Sequence, residues 1–139
     1  MNNLEELEFF RTVIKAFRVD EGVRCVYCGN IAQEKEHVTP KNFLNGLVGL
    51  GNFQNTVKYH KSMIVPACKE CNLIASGQKF RNFTEKKKFI KEKLKNRYRK
   101  ILLTPFWTDT ELLELDFRLR EYVLVALEAK RVVQARLNF

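Results

Sequence analysis

Three stretches of the chain carry apolar residues at helical spacing, and each predicts an amphipathic helix with one side on a core. They cover residues 4–17, residues 84 to about 103 and residues 110–137. The repeating positions in the first are Leu4, Leu7, Phe10, Val13, Ile14 and Phe17; in the second Phe89, Ile90, Leu94, Tyr98 and Ile101; and in the third Leu112, Leu115, Leu119, Tyr122, Val123, Ala126 and Val133. We expect the last helix to pack against the first.

Capping residues predict where the two later helices begin and end. Thr84 is the expected N-cap of the second helix, and Pro105 follows its end. Either Thr108 or Asp109 is placed to cap the third helix.

Residues 20–80 have a different pattern, with short apolar runs between glycine, proline and asparagine. A knuckle or short hairpin is expected near residues 23–29, and a loop rich in Gly and Asn over 40–56. A strand over 57–66 that ends at Pro66 and a short helix from Cys71 to about Gly77 follow. The pattern predicts a helix-rich α+β protein with three regions: an N-terminal helix over 1–20, a central unit over 21–80 and a C-terminal helical region over 81–139.

The composition narrows the class of protein. The chain has 139 residues, of which 45% are hydrophobic, with few glycines and prolines, so a folded core is expected rather than a low-complexity chain. No apolar run reaches the roughly 18–20 residues of a membrane span. The formal net charge of +9 suits a polyanionic partner, and nucleic acid is the first candidate.

Four cysteines occur as two C-x2-C pairs, Cys25 with Cys28 and Cys68 with Cys71. Two such pairs on two tight turns predict one tetrahedral zinc site with four thiolate ligands. A closed shell of four sulfurs leaves no open position, so this zinc would be structural and would add two negative charges to the folded protein. The alternative is four unrelated buried thiols.

The N-terminal residues carry acidic side chains early and lack the pattern of a secretory signal. A cytoplasmic location is therefore expected, in which the cysteines stay reduced and disulfides do not form.

The order of motifs resembles the HNH endonuclease family, with its ββα-metal fold, in the branch that carries four zinc-binding cysteines. The resemblance covers about residues 23–78. The matching segments are Cys25-Val26-Tyr27-Cys28-Gly29, Glu36-His37-Val38-Thr39-Pro40 and Val65-Pro66-Ala67-Cys68-Lys69-Glu70-Cys71-Asn72.

The resemblance implies a role for each matching residue of the site. His37 would be the general base that activates water for attack on a phosphodiester, a role that suits the near-neutral pKa of histidine. Glu36, where the family usually has Asp, and Asn72 would bind one divalent cation such as magnesium through oxygen atoms. The zinc would hold strand and helix together so that His37 and Asn72 converge.

One expected residue is not at its family position. Met63 stands where the family usually has a middle Asn, which leaves Asn52 and Asn55 as candidates to orient the imidazole. His60 is a second histidine that could contact phosphate or assist the metal; the alternative is a histidine on the surface of a strand.

The second predicted helix is strongly basic. Residues 84–100 contain nine Lys or Arg and two Glu, a net charge of +7. With its apolar stripe on the core, this helix would present a basic face to a phosphate backbone, without reading the base sequence. The predicted nucleic-acid contacts are Lys86, Lys87, Lys91, Lys95, Arg97, Arg99 and His60. The alternative is a solvated helix whose lysines only aid solubility.

Three functions follow in order of preference. The first is a divalent-metal-dependent endonuclease that hydrolyses phosphodiester bonds in DNA. The second is a non-catalytic zinc module that binds nucleic acid, and the third is a module that binds a protein partner, for example a phage-encoded modulator. A homodimer is a possible assembly, because cutting both strands of a duplex needs two sites.

Overall fold

The structure, a computed structural model, describes residues 3–18, 22–38 and 64–139. In these ranges the elements are α1 (Asn3–Ala16), β1 (Glu34–His37), β2 (Ile64–Ala67), α2 (Lys69–Ala75), α3 (Phe83–Arg97), α4 (Arg99–Leu102), α5 (Asp109–Glu114) and α6 (Phe117–Asn138). The prediction of a helix-rich α+β protein is confirmed. No helix within the described ranges has an apolar stretch long enough to cross a lipid bilayer.

Strands β1 and β2 pair antiparallel, with Glu34 opposite Ala67 and His37 opposite Ile64. The second strand was predicted to end at Pro66, but it continues to Ala67. Pro66 is tolerated because its nitrogen lies on the side of β2 away from β1, where its carbonyl accepts a hydrogen bond from the Val26 amide at 3.2 Å. Helix α2 follows at once and packs against β1 and α3.

The helix boundaries differ from the predicted ones where a side chain caps the backbone. Helix α2 begins at Lys69 rather than Cys71, because the Sγ of Cys68 accepts a hydrogen bond from the Cys71 amide. Asn82, rather than Thr84, caps α3 by accepting from the Glu85 amide. Of the two predicted candidates, Thr108 caps α5 by accepting from the Glu111 amide, and Asp109 is the first residue of the helix.

The single last helix predicted over 110–137 is divided into α5 and α6. The side chain of Asp116 accepts a hydrogen bond from the Leu119 amide and starts a new helix there. The guanidinium of Arg120 donates to the carbonyls of Leu112, Leu113 and Leu115, which satisfies the end of α5. The division therefore comes from local polar groups that the apolar spacing does not show.

Two hydrophobic clusters form the core. One surrounds the four cysteines and includes Tyr27, Phe80, Ile90 and Leu94. The other lies between α1, α4 and α6 and includes Phe10, Val13, Ile101, Ala129 and Val133. The predicted packing of the last helix on the first is confirmed by the Arg11–Glu121 ion pair at 2.8 Å and the contact of the Phe10 and Tyr122 rings. Tyr98 and Leu137 touch both clusters and so join them.

Candidate metal centre and adjoining pocket

The two cysteine pairs meet in the interior. All four Sγ atoms lie within 4.8 Å of one another, and the four side chains are at most 2% exposed. The Sγ atoms of Cys28 and Cys68 are 3.7 Å apart, close to the separation of about 3.8 Å between sulfurs of a tetrahedral site with 2.3 Å bonds. A disulfide needs about 2.05 Å. The thiols are therefore placed as metal ligands, and this cluster could hold a zinc ion.

Backbone hydrogen bonds shape the first knuckle. The amide of Gly29 donates to the Cys25 carbonyl at 2.9 Å, which closes the turn that directs both sulfurs inward. Gly29 has φ +76°, which disfavours a side chain, and an added Cβ would lie 2.6 Å from the Phe139 ring. The close approach of the Phe139 ring to Gly29 thus explains the glycine after the second cysteine.

Hydrogen bonds of the Asn30 side chain connect this knuckle to the end of α1. Its side-chain oxygen accepts from the Arg18 and Ile31 amides, and its side-chain nitrogen donates to the Ala16 carbonyl. Asn30 itself is buried, and all three bonds are partly shielded from water. The end of α1 is thereby fixed beside the cysteine cluster.

A buried guanidinium lies against the cluster. Arg136, on α6, donates to the Sγ of Cys28 at 3.3 Å and pairs with the Glu70 carboxylate at 2.6 Å; its side chain is 6% exposed. Four thiolates around one zinc ion carry a net charge of −2. Arg136 places one positive charge within hydrogen-bond distance of that negative centre, and so it extends the site to the last helix.

Glu70 is the other half of this network. It accepts hydrogen bonds from the Tyr98 hydroxyl and from Arg97, the latter at 2.9 Å. Burial would raise the pKa of Glu70, but the charge of Arg136 and these hydrogen bonds bring it below its ordinary value. Burial and the bond to Glu70 raise the pKa of Tyr98 to about 12. Glu70 is therefore a partly buried carboxylate that stays charged and holds Arg136 in place.

Glu36, His37 and Asn72 line one cavity of about 360 Å³ beside the cysteine cluster. Strand β1 supplies the first two, and α2 supplies Asn72, one residue after Cys71. Because Cys68 lies at the junction of β2 and α2, the cluster sets how strand and helix meet. The side-chain nitrogen of Asn72 donates to Glu34, two residues before Glu36 on the strand. Hereafter this cavity is called the β1–α2 pocket.

A buried lysine occupies one wall of the β1–α2 pocket. The Nζ of Lys86, on α3, lies 2.9 Å from a carboxylate oxygen of Glu36 and donates to the His37 carbonyl at 3.0 Å. The prediction that Lys86 belongs to a nucleic-acid-binding face is corrected here: Lys86 falls four residues before Ile90 and eight before Leu94, on the buried side of α3. An ammonium already paired in the interior is not available to a phosphate backbone.

The residues of the β1–α2 pocket do not fit a divalent cation as they stand. The carboxylate that the family resemblance assigns to the metal has its charge balanced by Lys86, and a cation there would adjoin a buried ammonium. Among the described residues, the cysteine cluster is the only set of three or more His, Cys, Asp or Glu spaced as metal ligands.

Three of the other six predicted nucleic-acid contacts lie in a groove on α3. Lys87, Lys91 and Lys95 stand four residues apart and line a cavity of about 560 Å³ with Phe83 and Leu137. Partial burial, with the nearby charge of Lys87, lowers the pKa of Lys91. The three lysines therefore lie on one partly buried face of α3. We call it the α3 groove.

Arg97 and Arg99 are exposed but do not line the α3 groove. Arg97 is paired with Glu70 instead. The predicted site residues Asn55 and His60, with Asn52, lie outside the described residues.

Comparison of the chain with protein-family models, with curated proteins and with solved structures finds no match to any of them. The resemblance to HNH endonucleases therefore stays a prediction from motifs. What the structure establishes is the coarser statement, a four-cysteine cluster that could hold zinc in a helix-rich α+β fold.

Sequence reasoning missed Glu34, Glu70 and Arg136. Glu34 is two residues from Glu36, so strand periodicity could have placed both on one face. Arg136 follows the buried Val132 and Val133 at helical spacing, and a charged residue on an apolar stripe indicates a buried partner. Glu70 lies between Cys68 and Cys71, and its sequence position gives no further indication of a buried partner.

Proposed function

We propose that this protein is an endonuclease that hydrolyses phosphodiester bonds in DNA at the β1–α2 pocket. The observation that carries the proposal is that Glu36, His37 and Asn72 line one cavity beside the cysteine cluster. Asn72 is far from the other two in the chain, and the family resemblance assigns all three to one site. The order of β1, β2 and α2, an antiparallel pair followed by a helix, also supports a ββα-metal core.

His37 is the residue suited to remove a proton from the attacking water. Histidine side chains ordinarily titrate near neutral pH and can therefore accept a proton there. Asn72 would orient the scissile group or the water, and Glu34 would hold the Asn72 side chain through the hydrogen bond that it accepts from it. Lys35 is exposed at the pocket and would meet charge that develops on the phosphate.

The resemblance also implies a magnesium ion on Glu36 and Asn72, where it would stabilise charge on the phosphate. Glu36 is paired with Lys86 instead. The proposed roles of His37, Asn72 and Lys35 therefore do not depend on this cation.

A plasmid-nicking assay with a His37→Ala variant tests the proposal. Supercoiled plasmid is incubated with zinc-loaded protein, with and without magnesium. We expect wild-type protein to nick the plasmid and His37→Ala to lose at least about a hundredfold in rate, the usual worth of a general base. Gln134→Ala, at an exposed position of α6, is the matched control and should cut at the wild-type rate. Equal rates for His37→Ala and wild type, or no nicking by wild type, would refute this proposal.

The Glu36–Lys86 ion pair favours a second candidate, a zinc module that binds nucleic acid without cutting it. In that case the α3 groove supplies the affinity. Phosphate contacts release counterions, so binding would fall steeply as salt rises. If the protein has no affinity for DNA even at low salt, the third candidate, a module for a protein partner, is favoured.

The α3 groove has its own test. The triple variant Lys87→Ala, Lys91→Ala, Lys95→Ala should weaken DNA binding and reduce the slope of log K against log salt by about 2–3, since each phosphate that is no longer neutralised lowers the slope by about 0.9. The matched control removes three exposed lysines elsewhere: Lys15→Ala, Lys69→Ala, Lys79→Ala. Both triples change the net charge equally, so an identical decrease of affinity and slope in a filter-binding titration would contradict a localised site.

A further inference from the structure

The side chain of Lys86 is much less exposed to solvent than that of a lysine on the protein surface. Its side chain is 4% exposed and that of Glu36 is 6% exposed, and their charged atoms are 2.9 Å apart. The same Nζ donates to the His37 carbonyl at 3.0 Å. A single ammonium thus contacts both residues of the Glu36–His37 pair at the pocket.

Aromatic rings complete the surroundings of the ammonium. The Nζ of Lys86 lies 5.8 Å from the centroid of the Tyr27 ring and 5.7 Å from that of Phe80. The π-faces of such rings attract a cation, more strongly when water is excluded. The carboxylate, the carbonyl and the two rings together form a site that stabilises a positive charge.

We propose that Lys86 is the resident cation of the β1–α2 pocket, a positioning residue that neutralises Glu36 and keeps a divalent cation out. The ammonium of Lys86 is paired with the Glu36 carboxylate, the group that would have to bind a metal ion in this pocket. Through the His37 carbonyl it also fixes the strand that carries His37. This inference deepens the proposed function, on whose pocket it rests, because it makes the pocket independent of magnesium.

Cation binding tests this inference without requiring cleavage. Zinc-loaded protein is titrated with Mn²⁺, an oxygen-preferring ion whose free concentration is read by electron paramagnetic resonance. We expect wild-type protein to bind no Mn²⁺ at the pocket at millimolar concentration. Lys86→Met should gain at least about tenfold in Mn²⁺ affinity, because removing the ammonium frees the charge of Glu36. The gain should vanish in Lys86→Met with Glu36→Gln, and Lys86→Arg should bind as little as wild type.

Lys87→Met is the matched control, since Lys87 is adjacent in sequence but faces the α3 groove. It should show no gain. The inference is overturned if wild-type protein binds one Mn²⁺ that Glu36→Gln abolishes, a result that holds even if Lys86→Met does not fold. It is also overturned if folded Lys86→Met gains no affinity.

Plasmid nicking separates this inference from the proposed function. Nicking that persists when magnesium is omitted, with zinc retained, supports both. Nicking that depends on magnesium through Glu36 refutes the inference and keeps the endonuclease. Absence of nicking together with the expected Mn²⁺ pattern removes the endonuclease and keeps Lys86 as the resident cation.

Discussion

Replacing Cys68 with serine is expected to unfold the protein or to lower its melting temperature sharply. Cys68 has two roles: its Sγ is one of the four clustered sulfurs, and it also caps α2. A structural zinc ion contributes apparent binding free energies of about 10–16 kcal/mol in small zinc modules, and folding depends on them. Much of one hydrophobic cluster here consists of the cysteines themselves. Without the metal, four small thiols do not replace that stabilisation.

Thermal unfolding and metal analysis measure the effect together. Wild-type protein should contain one zinc ion, and Cys68→Ser should contain less and unfold at much lower temperature. Ala75→Ser is the matched control, because it places a hydroxyl in the same buried cluster but removes no ligand. It should keep its zinc and lose about 1–3 kcal/mol. A Cys68→Ser protein with unchanged melting, beside wild type free of zinc, would contradict the metal centre.

Arg136→Met should destabilise the zinc-loaded protein by up to about 3–5 kcal/mol, the cost of removing one partner from a fully buried ion pair. The value is an upper bound because Glu70 is 23% exposed and keeps its pair with Arg97. Methionine fills similar space but leaves Glu70 and the cysteine cluster without their buried positive charge. We also expect faster release of zinc to a chelator, since partners of metal ligands hold them in place.

Urea unfolding of the zinc-loaded protein checks this value. Arg131→Met, on the same helix, removes an exposed ion pair with Glu128 whose side chains are 63% and 44% exposed. Such a surface pair is worth about 0–1 kcal/mol, so this control should be nearly neutral. Equal effects of the two variants would show that Arg136 contributes only as a surface charge does.

The cysteine cluster was predictable because its signal is local. Each C-x2-C pair sets two sulfurs on one tight turn, so the spacing alone fixes half of the site. That His37 and Asn72 would converge was implied by the family resemblance, and both residues line one cavity. For Asn55 and His60, which lie outside the described residues, the assigned roles stay predictions.

The buried charges were not predicted because the chain shows only their composition. Lys86 was grouped with eight other basic residues of one helix, and net charge does not reveal which side chain faces inward. Its spacing from Ile90 and Leu94 was the better guide. Its partner Glu36 is 50 positions away, and only the packing of α3 on the strand brings the two together.

The helix boundaries depended on competition between near-equal local signals. Asn82 and Thr84 are both good N-caps, and the backbone conformation selects Asn82. Likewise Asp116 interrupts an apolar pattern that would otherwise continue through α5 and α6.

The contact between Arg136 and Cys28 has a consequence for synthesis on the ribosome. Cys28 lies 108 positions before Arg136 and the last cysteine, Cys71, lies 65 positions before it, so all four cysteines leave the exit tunnel ahead of the arginine. A nascent chain that captures zinc early would hold a dianionic centre still lacking its guanidinium. Nascent-chain pulling experiments should therefore show two steps, one when the second knuckle emerges and another when the last helix docks.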